Sequence, residues 1–280
     1  MTQQTRCDTL NIAHRGARSV APENTIEAAR KGLEMGADLW ELDVQLSADD
    51  ELVVIHDDTL ERTSNVETAF ADREPWNVSD FTLAEIRELD FGSWFNEEDP
   101  FGQIEGGVVS AEDRRSYEGI GAPTLREALE WTSRNDWKVN VELKHLGEDV
   151  EEENYVERVV GLIQELGMTK DVLISSFNHD YLVRAKAADS TIPTGALVGR
   201  GIDDPAGYVR DLGADAYNPS SEAISPSRIP DLREQDVEVY VYTVNEEDEL
   251  ARLVEAGATG IFTDFPQRLA RVLDECRHER

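Results

Sequence analysis

Short β-rich apolar runs alternate along the chain with segments whose apolar residues recur every three to four positions. The runs predict strands over residues 10–14, 38–46, 138–144, 172–175, 194–198, 215–217, 237–243 and 260–263. The helical spacing predicts helices over 25–35, 125–134, 155–166, 180–188, 246–256 and 267–276. Eight strands alternating with helices specify a parallel sheet, and a chain of 280 residues suits its closure into one (β/α)8 TIM barrel spanning residues 1–280. An open doubly wound sheet is the other arrangement with this rhythm. It calls for a G-x-G-x-x-G turn after the first strand, where the chain has His14-Arg15-Gly16-Ala17-Arg18-Ser19.

The rhythm breaks once. Residues 58–122 contain no βα unit and are too long for an ordinary connection. They predict a small inserted subdomain on the loop after the second strand region, with a short helix over 83–89 opened by Thr82 and Glu85 as a capping box. Loops at the C-terminal face of a barrel border the active site, so this segment is expected either to roof a pocket or to be an acidic decoration.

The polar positions within the strands carry the chemistry. In the second strand Trp40, Leu42, Val44 and Leu46 share one face and Glu41, Asp43 and Gln45 the other. Two carboxylates pointing the same way make a divalent-cation site or a solvated strand face. In 138–144 the same alternation puts Asn140, Glu142 and Lys144 together, so Glu142 can add a third carboxylate and Lys144 a cation for a phosphate. The first strand ends in His14-Arg15-Gly16, and the apolar run 52–55 ends in His56-Asp57. Two imidazoles can share the acid and base tasks of phosphodiester cleavage, and Arg15 offers a fork for phosphate oxygens. Glu23, ahead of the first helix, either serves the substrate site by positioning a catalytic group or a cation, or only favours the helix N-terminus. Tyr242 is placed to pack on an organic substrate. Asn178, Asn245 and Asp264 read as caps and turn formers, and His145, His179 and His278 as structural or surface residues.

Composition narrows the partners. The chain carries 59 acidic against 27 basic residues, a net charge of −32, which repels nucleic acid and anionic membrane. Only five of the basic residues are lysine, and an acidic, lysine-poor surface suits high salt. Hydrophobic residues, at 40%, suffice for a large core. Cys7 and Cys276 allow one terminal bridge, but two free thiols in a reducing, cytoplasmic compartment are the expectation. No apolar leader opens the sequence and no run of about 18 apolar residues predicts a membrane span.

His14-Arg15-Gly16, Pro22-Glu23-Asn24-Thr25, Glu41-Leu42-Asp43 and Val54-Ile55-His56-Asp57, continuing to Thr63-Ser64, together resemble the glycerophosphodiester phosphodiesterase signature in order and spacing. Pro123-Thr124-Leu125, Glu142-Leu143-Lys144 and Thr263-Asp264-Phe265-Pro266 extend the likeness over nearly the whole chain. The segments 78–86 and 92–95 resemble that family's small inserted subdomain. The resemblance implies hydrolysis of glycerophosphodiesters to sn-glycerol 3-phosphate and an alcohol with Mg²⁺ or Ca²⁺. It implies Glu41, Asp43 and Glu142 as metal ligands, His14 and His56 as the acid–base pair, and Arg15 and Lys144 as phosphate contacts. It also implies attack by the substrate's own 2-hydroxyl through a cyclic phosphate. The sequence departs from the family by Tyr242, where tryptophan is usual, and by acidic stretches at 67–74 and 99–118. A lysophospholipase D and a non-catalytic barrel that binds phosphorylated ligands are the other functions these residues allow.

Mutual repulsion of the acidic side chains predicts that the fold depends on salt. Circular dichroism should report loss of structure as KCl is dialysed away; full stability without salt would contradict an adaptation to brine.

Overall fold

A sheet of parallel strands closes when its first and last members pair. The computed structural model, which describes residues 7–146 and 154–278, has nine strands. They are β1 (Leu10–Ala13), β2 (Leu39–Leu46), β3 (Leu52–Val54), β4 (Lys138–Leu143), β5 (Val172–Ser176), β6 (Thr194–Val198), β7 (Ala216–Pro219), β8 (Glu238–Val241) and β9 (Gly260–Thr263). β1 pairs in parallel with both β2 and β9, and the remaining neighbours run β2, β4, β5, β6, β7, β8 and β9. The closed (β/α)8 barrel expected from the alternation is the observed fold.

β2 projects past β1, and that free edge is filled by β3. β3 runs antiparallel, with Val44 opposite Val54 and Leu46 opposite Leu52. A polar turn joins the two strands: Asp50 adopts a left-handed φ of 61°, and the Ser47 hydroxyl accepts from the Glu51 N–H at 2.9 Å. The sequence reading took 52–55 as an apolar run ending near the site; its antiparallel pairing on β2 is what the structure adds.

The outward faces of the strands make the core. Trp40, Leu42, Val44, Val139, Val141, Val172 and Ile174 pack with residues of the helices Leu125–Arg134, Tyr155–Glu165 and His179–Ala188. Val239, Val241 and Ile261 pack with Leu250, Leu253 and Leu269. The Trp40 indole donates to Thr132 Oγ1 at 2.9 Å, so its one polar atom is satisfied in the interior. Each large side chain in these layers contributes about 1.5–3 kcal/mol by leaving water. The six predicted barrel helices are present within two residues of their expected ends. Among the barrel helices, Pro205–Leu212 and the short Ile229–Arg233 have no counterpart in the reading; the first is the longer. Its eight residues include Gly207 and start on a proline, so the apolar period is short and interrupted; Asp204 caps it by accepting from the Gly207 N–H.

Between β3 and the helix Leu125–Arg134 the chain forms short helices, Val66–Ala69, Leu83–Ile86, Ser93–Glu98 and Ala111–Tyr117. The capping box of Thr82 and Glu85 is present. Its helix stops at Ile86 rather than residue 89, where Asp90 turns the chain by accepting the N–H groups of Gly92 and Ser93. Leu60, Val66, Trp76, Phe81 and Phe91 bury against Val53 and Ile55. Phe95 and Tyr117 bury against Ala17, Val20 and Ala28, and the Tyr117 hydroxyl donates to the Val20 carbonyl at 2.8 Å. The segment therefore rests on the loop that follows β1.

The expectation of two free thiols is corrected: Cys7 and Cys276 form a disulfide with their Cα atoms 5.8 Å apart. β1 begins just after Cys7, and the helix Pro266–His278 packs back along β1, which brings the two ends of the chain together. The cysteines therefore give no support to a reducing compartment. The stretch read as lacking a leader lies partly outside the described residues. Among those described, no helix is long and apolar enough to cross a membrane. Closing so long a loop constrains the unfolded chain by about 2–4 kcal/mol. Reduction, or Cys276→Ser, should lower Tm by roughly 5–15 °C in calorimetry. An unchanged Tm would show that the bridge carries no stability.

Candidate active site

β2 and β4 lie in register with Glu41 beside Asn140 and Asp43 beside Glu142, so strand alternation turns all four side chains into the barrel. One carboxylate oxygen from each of Glu41, Asp43 and Glu142 lies within 4.8 Å of the others. The side chains of Glu41 and Asp43 are 1–2% exposed, and that of Glu142 is 12% exposed. Burial raises the Glu41 carboxyl well above the usual range, and the charges of Asp43 and Glu142 push it further. Burial raises Glu142 too, with Asp43 adding to it. Burial also works against the Asp43 anion, but Arg15, His56 and Lys144 outweigh it and hold Asp43 below the ordinary carboxylate range. Glu41 Oε1 and Asp43 Oδ1 accept no hydrogen bond although both are buried. Crowded hard oxygens with free lone pairs fit a divalent cation, which would remove the repulsion that penalises them.

The loop after β1 is shaped by its backbone. Arg15 has φ 53°, a left-handed conformation uncommon for a side-chain-bearing residue, and Gly16 follows at φ 78°. A Cβ on Gly16 would come within 2.5 Å of the Ala28 backbone, so only glycine fits there. The turn aims the Arg15 N–H at Glu41 Oε2, 2.7 Å away. The Arg15 guanidinium stands 2.8 Å from Glu23 Oε1 and 3.4 Å from Asp43 Oδ2. Asn24, left-handed at φ 59°, donates to Asp43 Oδ2 at 2.9 Å and accepts the Asp43 N–H at 3.1 Å.

β3 returns the chain to the same level. The Ile55 N–H donates to the Asp43 carbonyl at 3.1 Å, which sets His56 over the carboxylates. His56 Nδ1 is 2.5 Å from Asp57 Oδ1, and His14 Nδ1 is 2.7 Å from Asp264 Oδ1. His14 Nε2 points the other way, 3.9 Å from Glu41 Oε2. Burial lowers the His14 pKa, and Arg15 lowers it further against the pull of Asp264. Both effects favour the neutral, proton-accepting imidazole. Lys144 Nζ lies 2.8 Å from Glu142 and 3.6 Å from Asp43.

A cavity of about 210 Å³ opens over these groups, lined by His14, Arg15, Glu41, His56, Glu142 and Lys144 on one side. Phe177 and Tyr242 stand on another, their rings perpendicular at 5.8 Å, with the Tyr242 hydroxyl fixed on the Val198 carbonyl at 2.9 Å. Seven of the nine candidate site residues line this cavity, and Asp43 lies beside them, 3.6 Å from Lys144 and 3.4 Å from Arg15. Glu23 does not line it. Both its oxygens face arginines: Arg15, Arg18 at 2.8 Å and Arg62 at 2.6 Å. A wider groove of about 500 Å³ is lined by Arg87, Arg126 and Arg158, of which the first two are paired to Glu127 at 3.0 Å and Glu165 at 2.7 Å.

The sequence reading missed the partners behind the histidines. Asp57 was visible as the neighbour of His56. Asp264, read as a turn former, reaches His14 only through the β1–β9 pairing, which joins residues 250 apart in sequence. Arg18 and Arg62 gave no periodic signal, and Phe177 lies just past the end of β5. His179, read as structural, is held at both ring nitrogens by Tyr208 and the Leu197 carbonyl.

Residues 14–268 match the model of the glycerophosphoryl diester phosphodiesterase family. A glycerophosphodiester phosphodiesterase of Caldanaerobacter subterraneus is 34% identical over 268 residues, covering 95% of this chain and 98% of the relative. One of Bacillus subtilis is 31% identical, covering 94% and 86%. Among solved structures, a phosphodiesterase of Oleispira antarctica in complex with the product sn-glycerol-3-phosphate superposes with a TM-score of 0.78 at 29% identity. That match covers 94% of this chain and 96% of the other. A glycerophosphodiester phosphodiesterase of Agrobacterium tumefaciens gives 0.72 at 26% identity, covering 94% and 99%.

If the carboxylate trio holds a divalent cation, calorimetric titration with Mg²⁺ or Ca²⁺ should give one site. Glu41→Gln or Glu142→Gln should weaken it at least tenfold, and EDTA should abolish its heat signature. Unaltered affinity in both variants would place the cation elsewhere.

Proposed function

The chain belongs to the glycerophosphoryl diester phosphodiesterase family, and from that membership we propose a mechanism for its particular residues. The protein is a glycerophosphodiester phosphodiesterase, a hydrolase of phosphoric diesters. The observation that carries the mechanism is the convergence of three carboxylates, two histidines, Arg15 and Lys144 on one cavity.

In this reading Glu41, Asp43 and Glu142 hold Mg²⁺ or Ca²⁺, which when bound neutralises charge on the non-bridging phosphate oxygens. Arg15 and Lys144 hold those oxygens from the two sides of the carboxylates. His14 and His56 share the proton transfers. One takes the proton from the substrate's 2-hydroxyl as that oxygen bonds to phosphorus. The other gives a proton to the departing alcohol as its P–O bond breaks. Water then opens the cyclic phosphate with the roles reversed, leaving sn-glycerol 3-phosphate. Tyr242 packs on the organic part of the substrate, and residues 58–122, an inserted subdomain resting on the β1 loop, border the opening. Glu23 acts on substrate only through the arginines it holds.

Incubation with glycerophosphocholine and Mg²⁺ or Ca²⁺ should release glycerol 3-phosphate in a coupled assay. His14→Ala and His56→Ala should each lower kcat by about 10²–10⁴-fold with Tm unchanged. Absence of turnover on any glycerophosphodiester across metals and salts, or full activity in both variants, would overturn the reading.

A further inference from the structure

Behind the two histidines the ionic contacts continue and meet. On one side His56 Nδ1 faces Asp57 Oδ1 at 2.5 Å, and Asp57 Oδ2 accepts from Arg62 Nε at 2.5 Å. Arg62 Nη2 then reaches Glu23 Oε1 at 2.6 Å. On the other, His14 Nδ1 faces Asp264 Oδ1 at 2.7 Å, and Arg18 Nη1 lies 3.7 Å from that same oxygen. Arg18 Nη2 then reaches Glu23 Oε2 at 2.8 Å. Each histidine is backed by an aspartate, each aspartate by an arginine, and the two arginines end on the two oxygens of one glutamate. The links come from three loops, those after β1, β3 and β9, and Glu23 is where the two arms meet among the described residues.

We propose that Glu23 is a positioning residue that couples the two histidines, fixing both imidazoles with Nδ1–H outward and Nε2 in the cavity. This rests on the reading that His14 and His56 carry the proton transfers. An aspartate bonded to Nδ1 selects that tautomer, as a second partner does for many functional histidines. An aspartate can do so only while its own rotamer is held: Arg62 holds Asp57 at 2.5 Å, and Asp264 is held by Arg18 at 3.7 Å together with the Asn245 amide, which donates to its Oδ2 at 2.8 Å. The Glu23 side chain is 2% exposed, so its pairs are barely screened by solvent. Removing its charge leaves Arg18 and Arg62 with Asp264 and Asp57 as their remaining carboxylate partners. They would then draw these aspartates away from the imidazoles. Arg15 also pairs with Glu23 but keeps Asp43 as a second anchor, so its hold on the cavity side is the least disturbed.

The test is Glu23→Gln in the Mg²⁺-bound protein, with kinetics and imidazole ¹⁵N NMR, which the presence of only five histidines makes assignable. The wild type should show Nδ1–H tautomers at His14 and His56. In the variant both should become tautomer mixtures, and kcat should fall about 10–100-fold, with KM and Mg²⁺ affinity within about twofold. Arg62→Lys, at a more exposed position, should disturb the His56 tautomer alone, and it serves as the test if Glu23→Gln fails to fold. A raised KM with unchanged kcat would make Glu23 a substrate contact, and unchanged tautomers would break the coupling; either overturns the proposal. If His14→Ala and His56→Ala are also fully active, the underlying reading has failed; if they are inactive, only the coupling has.

Discussion

Three carboxylates on adjacent barrel strands repel one another in a place where water cannot screen them, and the surrounding site is organised to bear that repulsion. Glu41, Asp43 and Glu142 cannot move apart, because the β2–β4 register fixes their spacing. Arg15 and Lys144 each approach Asp43, while Glu41 receives a backbone N–H. The fixed cations, Lys144 on Glu142 included, do not cancel burial and mutual repulsion at Glu41 and Glu142, whose pKa values stay raised. Residual negative charge of this kind is what a divalent cation answers. The strained φ of Arg15 and the tight Gly16–Ala28 approach are local costs of placing one N–H at Glu41.

The same constraint explains why the site is built from loops of different strands. A barrel gathers the C-terminal ends of its strands at one face, so residues distant in sequence meet there. His14 and Asp264 are joined by the β1–β9 closure, and His56 is delivered by a hairpin rather than by a barrel strand. The segment between β3 and the helix Leu125–Arg134 packs on the β1 loop through Phe95 and Tyr117. It also lays Trp94 beside Arg62 at 5.9 Å. It thus bears on one arm of the ionic relay, of which His56, Asp57 and Arg62 at its start are the members.

Much of this was legible in the sequence because period-two alternation reports directly which side chains enter a barrel. The polar faces Glu41-x-Asp43 and Asn140-x-Glu142-x-Lys144 needed no tertiary information. Asp264, Arg18 and Arg62 did, since their roles depend on which loops the closure makes neighbours, and a turn-forming aspartate looks the same whether or not an imidazole lies beside it. The disulfide was misjudged for a related reason. Two cysteines 269 residues apart look isolated until the last helix packs back along the first strand. Pro205–Leu212 escaped because Gly207 and a proline start blur a helical period that is short to begin with.

A crystal structure with Mg²⁺ or Ca²⁺ and sn-glycerol 3-phosphate bound would decide most directly whether the carboxylate trio organises the chemistry. The ion should sit among Glu41, Asp43 and Glu142, with the phosphate against Arg15 and Lys144 and both histidine Nε2 atoms turned toward it. An ion bound away from the trio, or a phosphate out of reach of both histidines, would contradict it.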